Sequence, residues 1–234
     1  SNLFFLPIFL PSQKTWTVHS FTEENYLKAI YKLQETNGEV VATSVLAQVM
    51  GVHAPSVNDM LKRIAGKKLV TYQKSKGVKL TERGRQVAVA IIRNHRLWEV
   101  FLVDKLGFKW DEVHELAEQL EHIHSEDLTN KLDKFLGFPK ADPHGDPIPD
   151  ANGVLPKSNA VLVSSLKVGE EGTFTGVTDH TPAFLNYLDK TGISLGSCLK
   201  VKSIEEFDQT FTLQLKPKRE VVVSHKVANS LLVG

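Results

Sequence analysis

APSVNDMLKRIAGKKLVTYQKSKGVKLT, residues 54–81, carries the pattern that sets the architecture of the first third of the chain. Pro55 stands in a first helical turn, where its missing N–H costs nothing. Val57, Met60, Leu61 and Ile64 recur at helical spacing and predict a buried side. Lys67 to Tyr72 reads as a strand, Ser75-Lys76-Gly77 as a hairpin tip, and Val78 to Thr81 as the returning strand. Toward the N-terminus, Thr43 or Ser44 is placed to cap a helix through Leu46, Ala47, Val49 and Met50, closed by the turn Gly51-Val52-His53. Before it, Ser20 and Glu23 have the spacing of a capping box. They open a helix with Tyr26, Leu27, Ile30, Tyr31 and Leu33 on its apolar face and Asn37-Gly38 at its end. Helix, helix, turn, helix and β-hairpin together make a winged helix-turn-helix.

The charge on this head is one-sided. From His53 to Arg96 there are eleven Lys and Arg residues against Asp59 and Glu82. A net charge of +1 over 234 residues hides that imbalance. Such a surplus on the third helix and the wing suits phosphate contact with double-stranded DNA. Base-edge contacts are expected from the exposed start of the third helix: Pro55 against a thymine methyl, Ser56, Asn58 on adenine, and Asp59 accepting from cytosine. Lys62, Arg63, Lys74, Lys76 and Lys79 are expected to hold the backbone. Asp59 would be repelled by phosphate unless a base or a lysine satisfies it.

Beyond residue 81 the periodicity turns to long helices. Thr81-Glu82-Arg83-Gly84 caps one that runs through His95 and Glu99 to Leu102, closed by Leu106-Gly107-Phe108. Asp111 starts a second, DEVHELAEQLEHIHSE (residues 111–126), and Ser125 a third that ends at Leu136-Gly137. His114, Glu118, Glu121 and His122 stand at i, i+4, i+7 and i+8, which is one stripe of an α-helix. His95 and Glu99 repeat the i, i+4 spacing one helix earlier. Imidazoles and carboxylates on shared stripes form a donor set for a divalent transition metal. The eight acidic residues between Asp111 and Asp133 stand against Lys131 alone. His124, Glu115 and Glu126 read as surface, His144 as structural, and His19, His53 and His225 as non-ligands.

Phe138 to Asn159 holds five prolines and reads as extended and irregular. After it come short β segments at 161–163, 172–177, 198–202, 211–215 and 221–223, with a short helix over Ala183 to Lys190. That pattern fits a small SH3-like barrel. The expected fold class is therefore mainly α with a small β domain. Its divisions are an N-terminal arm (1–19), a winged helix-turn-helix (20–84), a helical metal-binding and dimerisation domain (85–138), a Pro-rich linker (139–159) and an SH3-like domain (160–234). Hydrophobic content of 41% and charged content of 24% are ordinary for a globular protein. Leu3 to Leu10 is far shorter than the roughly 20 residues of a membrane span and is broken by Pro7. A single Cys198 excludes an internal disulfide and any cysteine zinc site, which fits a cytoplasmic protein.

The layout and several strings resemble the diphtheria toxin repressor family of metal-dependent transcriptional regulators, especially its manganese-responsive members. The strings are Tyr26-Leu27-Lys28-Ala29-Ile30-Tyr31, Asn94-His95-Arg96-Leu97-Trp98-Glu99, Val113-His114-Glu115, Leu120-Glu121-His122, and Leu136-Gly137-Phe138-Pro139 with Pro143-His144-Gly145 and Ile148-Pro149. The resemblance runs from about Phe21 to Leu232. It implies a homodimer whose DNA operator binding is favoured by Mn(II), or alternatively Fe(II), with repression of metal-uptake genes. It also implies two neighbouring metal sites. One would use His95, Glu99 and His114, completed from the barrel near Asp179 or His180. The other would use Glu118, Glu121 and His122 plus Asn25 of the first helix, where the family commonly has aspartate or methionine; Glu23 or Glu24 is the substitute for Asn25. Glu118 stands where iron-type members carry sulfur, and hard oxygen donors favour Mn(II). A dimer would place two recognition helices about one DNA turn, roughly 34 Å, apart. Neither an enzymatic activity nor an organic substrate is expected: a metalloenzyme would leave the basic head unexplained, and no general base stands outside the ligand set. A regulator sensing an organic ligand, with the His/Glu cluster merely structural, is the other reading; insensitivity of DNA affinity to chelators would mark it.

Overall fold

The computed structural model describes residues 19–215 and 219–234. The expected arm at 1–18 lies outside the described residues. The head begins with α1 (Phe21–Asn37), whose capping box forms as its sequence predicts: Ser20 Oγ accepts from the Glu23 backbone and the Glu23 carboxylate accepts from the Ser20 backbone. α2 (Thr43–Met50) follows, with Ala42 at the cap position and no side-chain cap bond. Neither Thr43 nor Ser44 caps it, because both already lie inside the first turn. Gly51 ends it in the left-handed region and α3 (Ala54–Gly66) starts with Pro55 in its first turn. Met60, read as buried, is only half-buried.

The wing is β1 (Val70–Gln73) paired antiparallel with β2 (Gly77–Leu80). β1 starts three residues later than its sequence suggests. Lys67 closes α3 and Lys68 takes a φ of 59°, so the chain turns there before it extends. Tyr26, Leu27, Ile30, Leu46, Val57, Leu61, Ile64, Leu69, Val78 and Ala88 fuse the head into one core. That core includes residues of α4 (Glu82–Leu106), a 25-residue helix capped by Thr81. The Thr81 hydroxyl and backbone N–H both donate to the Leu69 carbonyl, at 3.0 and 2.9 Å. Gly84 lies against the same carbonyl: a Cβ there would be 1.9 Å from Leu69 O. The long helix is thereby rooted on the base of the wing.

α5 (His114–Leu120) is shorter than expected. Asp111 to Val113 form turns, and Glu121 and His122 follow the helix end, although Glu121 keeps helical backbone angles. α6 (Glu126–Phe135) is capped by Ser125. Leu97, Val100, Leu132 and Ile148 form a second small core between α4, α6 and the Pro-rich stretch. That stretch has no helix or strand, yet its first part is packed. Asp142, His144 and Ile148 are buried, and Asp142 Oδ1 accepts from the backbones of His144 and Asp146. The prolines of that first part therefore shape a docked turn rather than a solvent-exposed tether.

The C-terminal unit contains β3 (Val161–Leu162), β4 (Glu171–Val177), α7 (Pro182–Thr191), β5 (Cys198–Ile204), β6 (Phe211–Leu215), β7 (Arg219–Val223), α8 (His225–Ala228) and β8 (Leu231–Val233). The strands form one antiparallel six-stranded sheet in the order β3-β8-β4-β5-β6-β7. Phe174, Leu185, Leu188, Leu199, Leu213 and Leu231 fill its core. Among the contacts that fasten it to the rest of the chain are hydrogen bonds to the Pro-rich stretch and to the turn before α5. Val177 N–H donates to His144 O at 2.9 Å. Trp110 Nε1 donates to Asp189, and Asn186 to Asp111, across to α7. No helix among the described residues is long and apolar enough to cross a membrane.

Candidate metal centre

α4 passes between α1 and α5 and places His95 at the middle of a cluster of imidazoles and carboxylates. His95 Nε2 lies 3.0 Å from Glu99 Oε1 and 3.2 Å from His114 Nδ1, while its Nδ1 lies 2.7 Å from Glu121 Oε2. Two groups share this ring. His95, Glu99 and His114 offer ligand atoms within 4.8 Å of one another, and so do His95, Glu118 and Glu121. A third group, Glu99, Asp142 and His144, meets the first at Glu99.

His144, read as structural from its turn, belongs to this cluster. It is 1% exposed and its Nδ1 lies 3.6 Å from Glu99 Oε1. Nε2 donates to Trp110 O at 2.7 Å, which leaves Nδ1 as the atom facing the carboxylate. Asp142 was missed as well. Its one sequence signal is its place two residues before His144 in the Asp142-Pro143-His144-Gly145 turn. His180 approaches from the C-terminal unit, with Nε2 3.8 Å from Asp146 Oδ2 and its ring 4.9 Å from that of His144. Asp179 instead folds onto its own loop, accepting from Thr181 N–H at 2.9 Å. Of the two residues left open in that loop, the structure brings His180 to the cluster.

At the other end, His122 Nδ1 meets Glu24 Oε2 at 2.5 Å and its Nε2 lies 3.7 Å from Glu121 Oε1. Phe21 stacks on the ring at 4.4 Å. His124, exposed as its sequence position suggests, also faces Glu24 through Nε2 at 2.7 Å. The α1 carboxylate that meets His122 is thus that of Glu24, one position before Asn25. Asn25 Oδ1 is buried with no hydrogen-bond partner among the described residues, an acceptor that a cation would satisfy. Lys28, one turn on, reaches Glu118 and Glu121.

The electrostatics follow from this crowding. Burial lowers the proton affinity of His95, but its hydrogen bonds to Glu121 and Glu99 outweigh that and raise its pKa to about 9. Burial raises Glu99, yet contacts with His114, His144 and His95 hold it well below the ordinary carboxylate range. Burial, then the charges of Glu121 and Glu23, push Glu24 up to about 8. Asp142 rises to about 7 through burial and the neighbouring Glu99 and Asp146. Burial lowers His122 and His180. Buried nitrogen and oxygen donors at this density, with an orphan amide oxygen beside them, fit a divalent transition metal.

On the head, Pro55, Ser56 and Asp59 are exposed at the start of α3. Asp59 pairs with Lys62 at 3.2 Å, which supplies the lysine its position requires. Asn58 is half-buried, and its Oδ1 accepts from Tyr72 OH of the wing at 2.7 Å. Arg63 Nε lies 2.8 Å from Glu23 Oε1, and Lys79 Nζ 2.5 Å from Glu39. Lys74 and Lys76 stand exposed at the hairpin tip.

A winged DNA-binding head built on the same helix as a metal-type donor cluster defines a regulator class, and comparison with known proteins narrows it. Residues 20–78 match the iron-dependent repressor N-terminal DNA-binding domain, 81–150 the iron-dependent repressor metal-binding and dimerisation domain, and 161–234 the FeoA domain. A solved manganese-dependent transcriptional repressor in complex with manganese is 38% identical, with a TM-score of 0.82 over 90% of this chain and 98% of that one. The repressor ScaR with bound Zn2+ is 30% identical, with a TM-score of 0.73 over 91% and 98%. The iron-dependent repressor IdeR of Mycobacterium tuberculosis is 38% identical over 128 residues, 55% of each chain. The matched segment therefore spans about half the length of these curated relatives. The chain belongs to the diphtheria toxin repressor family of metal-dependent transcriptional regulators.

Proposed function

We propose that this chain is a homodimeric repressor that binds an operator in double-stranded DNA when loaded with Mn(II), Fe(II) being the alternative, and that it controls metal-uptake genes. The observation that carries the reading is α4. One helix bears His95 and Glu99 at the donor cluster and, at its first turn, roots the wing through Thr81 and Gly84. Residues 20–84 would be the DNA-binding unit, 85–138 the metal-binding and dimerisation unit, 139–159 the connection and 160–234 the SH3-like unit.

One ion would be held by His95, Glu99 and His114, with Asp142, His144 and His180 closing it. A second would be held by Glu118, Glu121 and His122, with Asn25 or Glu24 from α1. The donors are nitrogen and oxygen without sulfur, which favours Mn(II); the iron-dependent relatives keep Fe(II) as the alternative. A divalent cation supplies positive charge and coordination bonds among carboxylates that otherwise repel one another. Around it, His95 ties α4 to α5, Glu24 and Asn25 tie α1 to the turn after α5, and His144 ties in the C-terminal unit. On DNA, Pro55, Ser56 and Asp59 face base edges. Asn58, its carbonyl engaged by Tyr72, offers its NH2 to an acceptor such as adenine N7. Lys62, Arg63, Lys74, Lys76 and Lys79 face phosphates.

The deciding experiment is a titration of operator duplex, obtained by selection from random sequence, with Mn(II), anaerobic Fe(II) or chelator present. Metal is expected to tighten binding by roughly 5–150-fold, the range of a coupling of about 1–3 kcal/mol. Equal affinity under chelation rejects the reading.

A pH dependence follows. His95 holds a proton up to about pH 9, and a ligating imidazole must lose it. Mn(II) affinity, read by electron paramagnetic resonance of the free ion, is expected to rise about tenfold per pH unit between pH 6 and 8 for each proton released. A flat profile would remove His95 from the ligand set.

A further inference from the structure

Lys28 is 7% exposed, although a lysine on an amphipathic helix ordinarily keeps its ammonium in water. Its Nζ lies 2.6 Å from Glu118 Oε1, 2.6 Å from Glu121 Oε1 and 2.9 Å from Glu121 Oε2. Three oxygens from two carboxylates converge on one cation. Glu121 is fully enclosed, and its Oε2 also faces His95. These are the residues whose ligand atoms lie close enough together to hold an ion, namely His95, Glu118 and Glu121.

A divalent ion on these oxygens would stand about 2.0–2.6 Å from them. It would therefore fall within a few ångströms of the present position of Nζ, with no room or charge balance for both. The first group, His95, Glu99 and His114, has no such competitor, since the hydrogen bonds of Lys28 reach only Glu118 and Glu121 among the described residues.

We infer that Lys28 is a tethered cation that takes the same seat as the metal at Glu118 and Glu121, so that lysine and metal exclude each other there. The inference rests on the metal-binding reading above. Its consequence is a threshold. The ammonium neutralises the pair of carboxylates and joins α1 to the α5 region by itself, and a metal ion gains that position only by outcompeting a group held at high local concentration. The two sites then differ in affinity, with the Glu99 group filling first and the Glu118–Glu121 group responding at higher metal concentration.

Lys28→Met keeps the length and apolar stem and removes the charge. Mn(II) titrations of the wild-type chain and K28M, followed by the resonance of free Mn(II), are expected to show the weaker site tightened about tenfold or more in K28M and the tighter site unchanged. In the wild-type chain, acetic anhydride labelling of Lys28, located by mass spectrometry, is expected to be low without Mn(II) and to rise several-fold with it. That measurement decides the matter even if K28M fails to fold. Equal Mn(II) affinities in the two proteins, or labelling of Lys28 unchanged by Mn(II), overturn the inference and leave the metal reading intact. Absence of Mn(II) binding in both proteins overturns the metal reading, and the inference with it.

Discussion

Glu121→Ala is expected to abolish metal-stimulated operator binding, reducing the ratio of affinities with and without Mn(II) to about one. Glu121 is wholly buried and stands at the junction of four groups: Lys28, His95, Glu118 through that lysine, and His122. Its loss removes a proposed ligand and also leaves a buried ammonium with a single partner. Breaking a buried pair in this way costs about 3–5 kcal/mol, a large share of the roughly 5–15 kcal/mol that stabilises a typical domain. Glu121→Gln keeps the shape and removes only the charge, so it separates ligation from folding. Both variants, and His122→Ala, are measured by fluorescence anisotropy of labelled operator duplex, with circular dichroism to check the fold. Stimulation retained in E121Q and H122A would remove these residues from the site.

A comparably large effect is expected at a residue that bears no chemistry. Gly145→Ala should destabilise the chain by about 2–4 kcal/mol, adding the strain of a left-handed residue to overpacking. Gly145 has a φ of +90°, and a Cβ there would lie 2.0 Å from Thr175 O and 2.4 Å from Gly176 Cα. These neighbours are backbone of β4, so they cannot rotate away. The turn that holds Asp142 and His144 must lift off the sheet, and the Val177–His144 hydrogen bond goes with it. Urea denaturation gives the stability change, and Mn(II) binding should weaken at the Glu99 group. Wild-type stability in G145A would mean that the turn is not pressed on the sheet.

The head was legible because its signals are local and redundant. The capping box at Ser20 and Glu23, Pro55 in a first turn, and the apolar positions of α3 each point to the same arrangement. Of the candidate ligands, the clustering of His95, Glu99, His114, Glu118 and Glu121 was legible, with His122 beside Glu121, even though α5 stops at Leu120. Residues that reach the cluster by tertiary packing were not. His144 and Asp142 sit in an irregular turn whose sequence gives no periodic face. Glu24 rather than Asn25 meets His122, because a one-residue difference on α1 is a rotation of about 100° that only packing fixes. Lys28 looks like any solvated lysine of an amphipathic helix until its three carboxylate oxygens are seen. β8 and α8 are too short to register as pattern, and β8 earns its place by pairing with both β3 and β4.

The uninterrupted run of α4 gives the molecule a lever. From Gly84, pressed on the wing, to Glu99 is fifteen residues, about 22 Å of rigid rod at 1.5 Å per residue. A tilt of about 3° at the ring of imidazoles moves the far end by roughly 1 Å, and two-fold symmetry in the proposed pair would double the change in separation between heads. Small settlements around a bound cation could thus be read out as a mismatch, or a match, with the helical repeat of DNA.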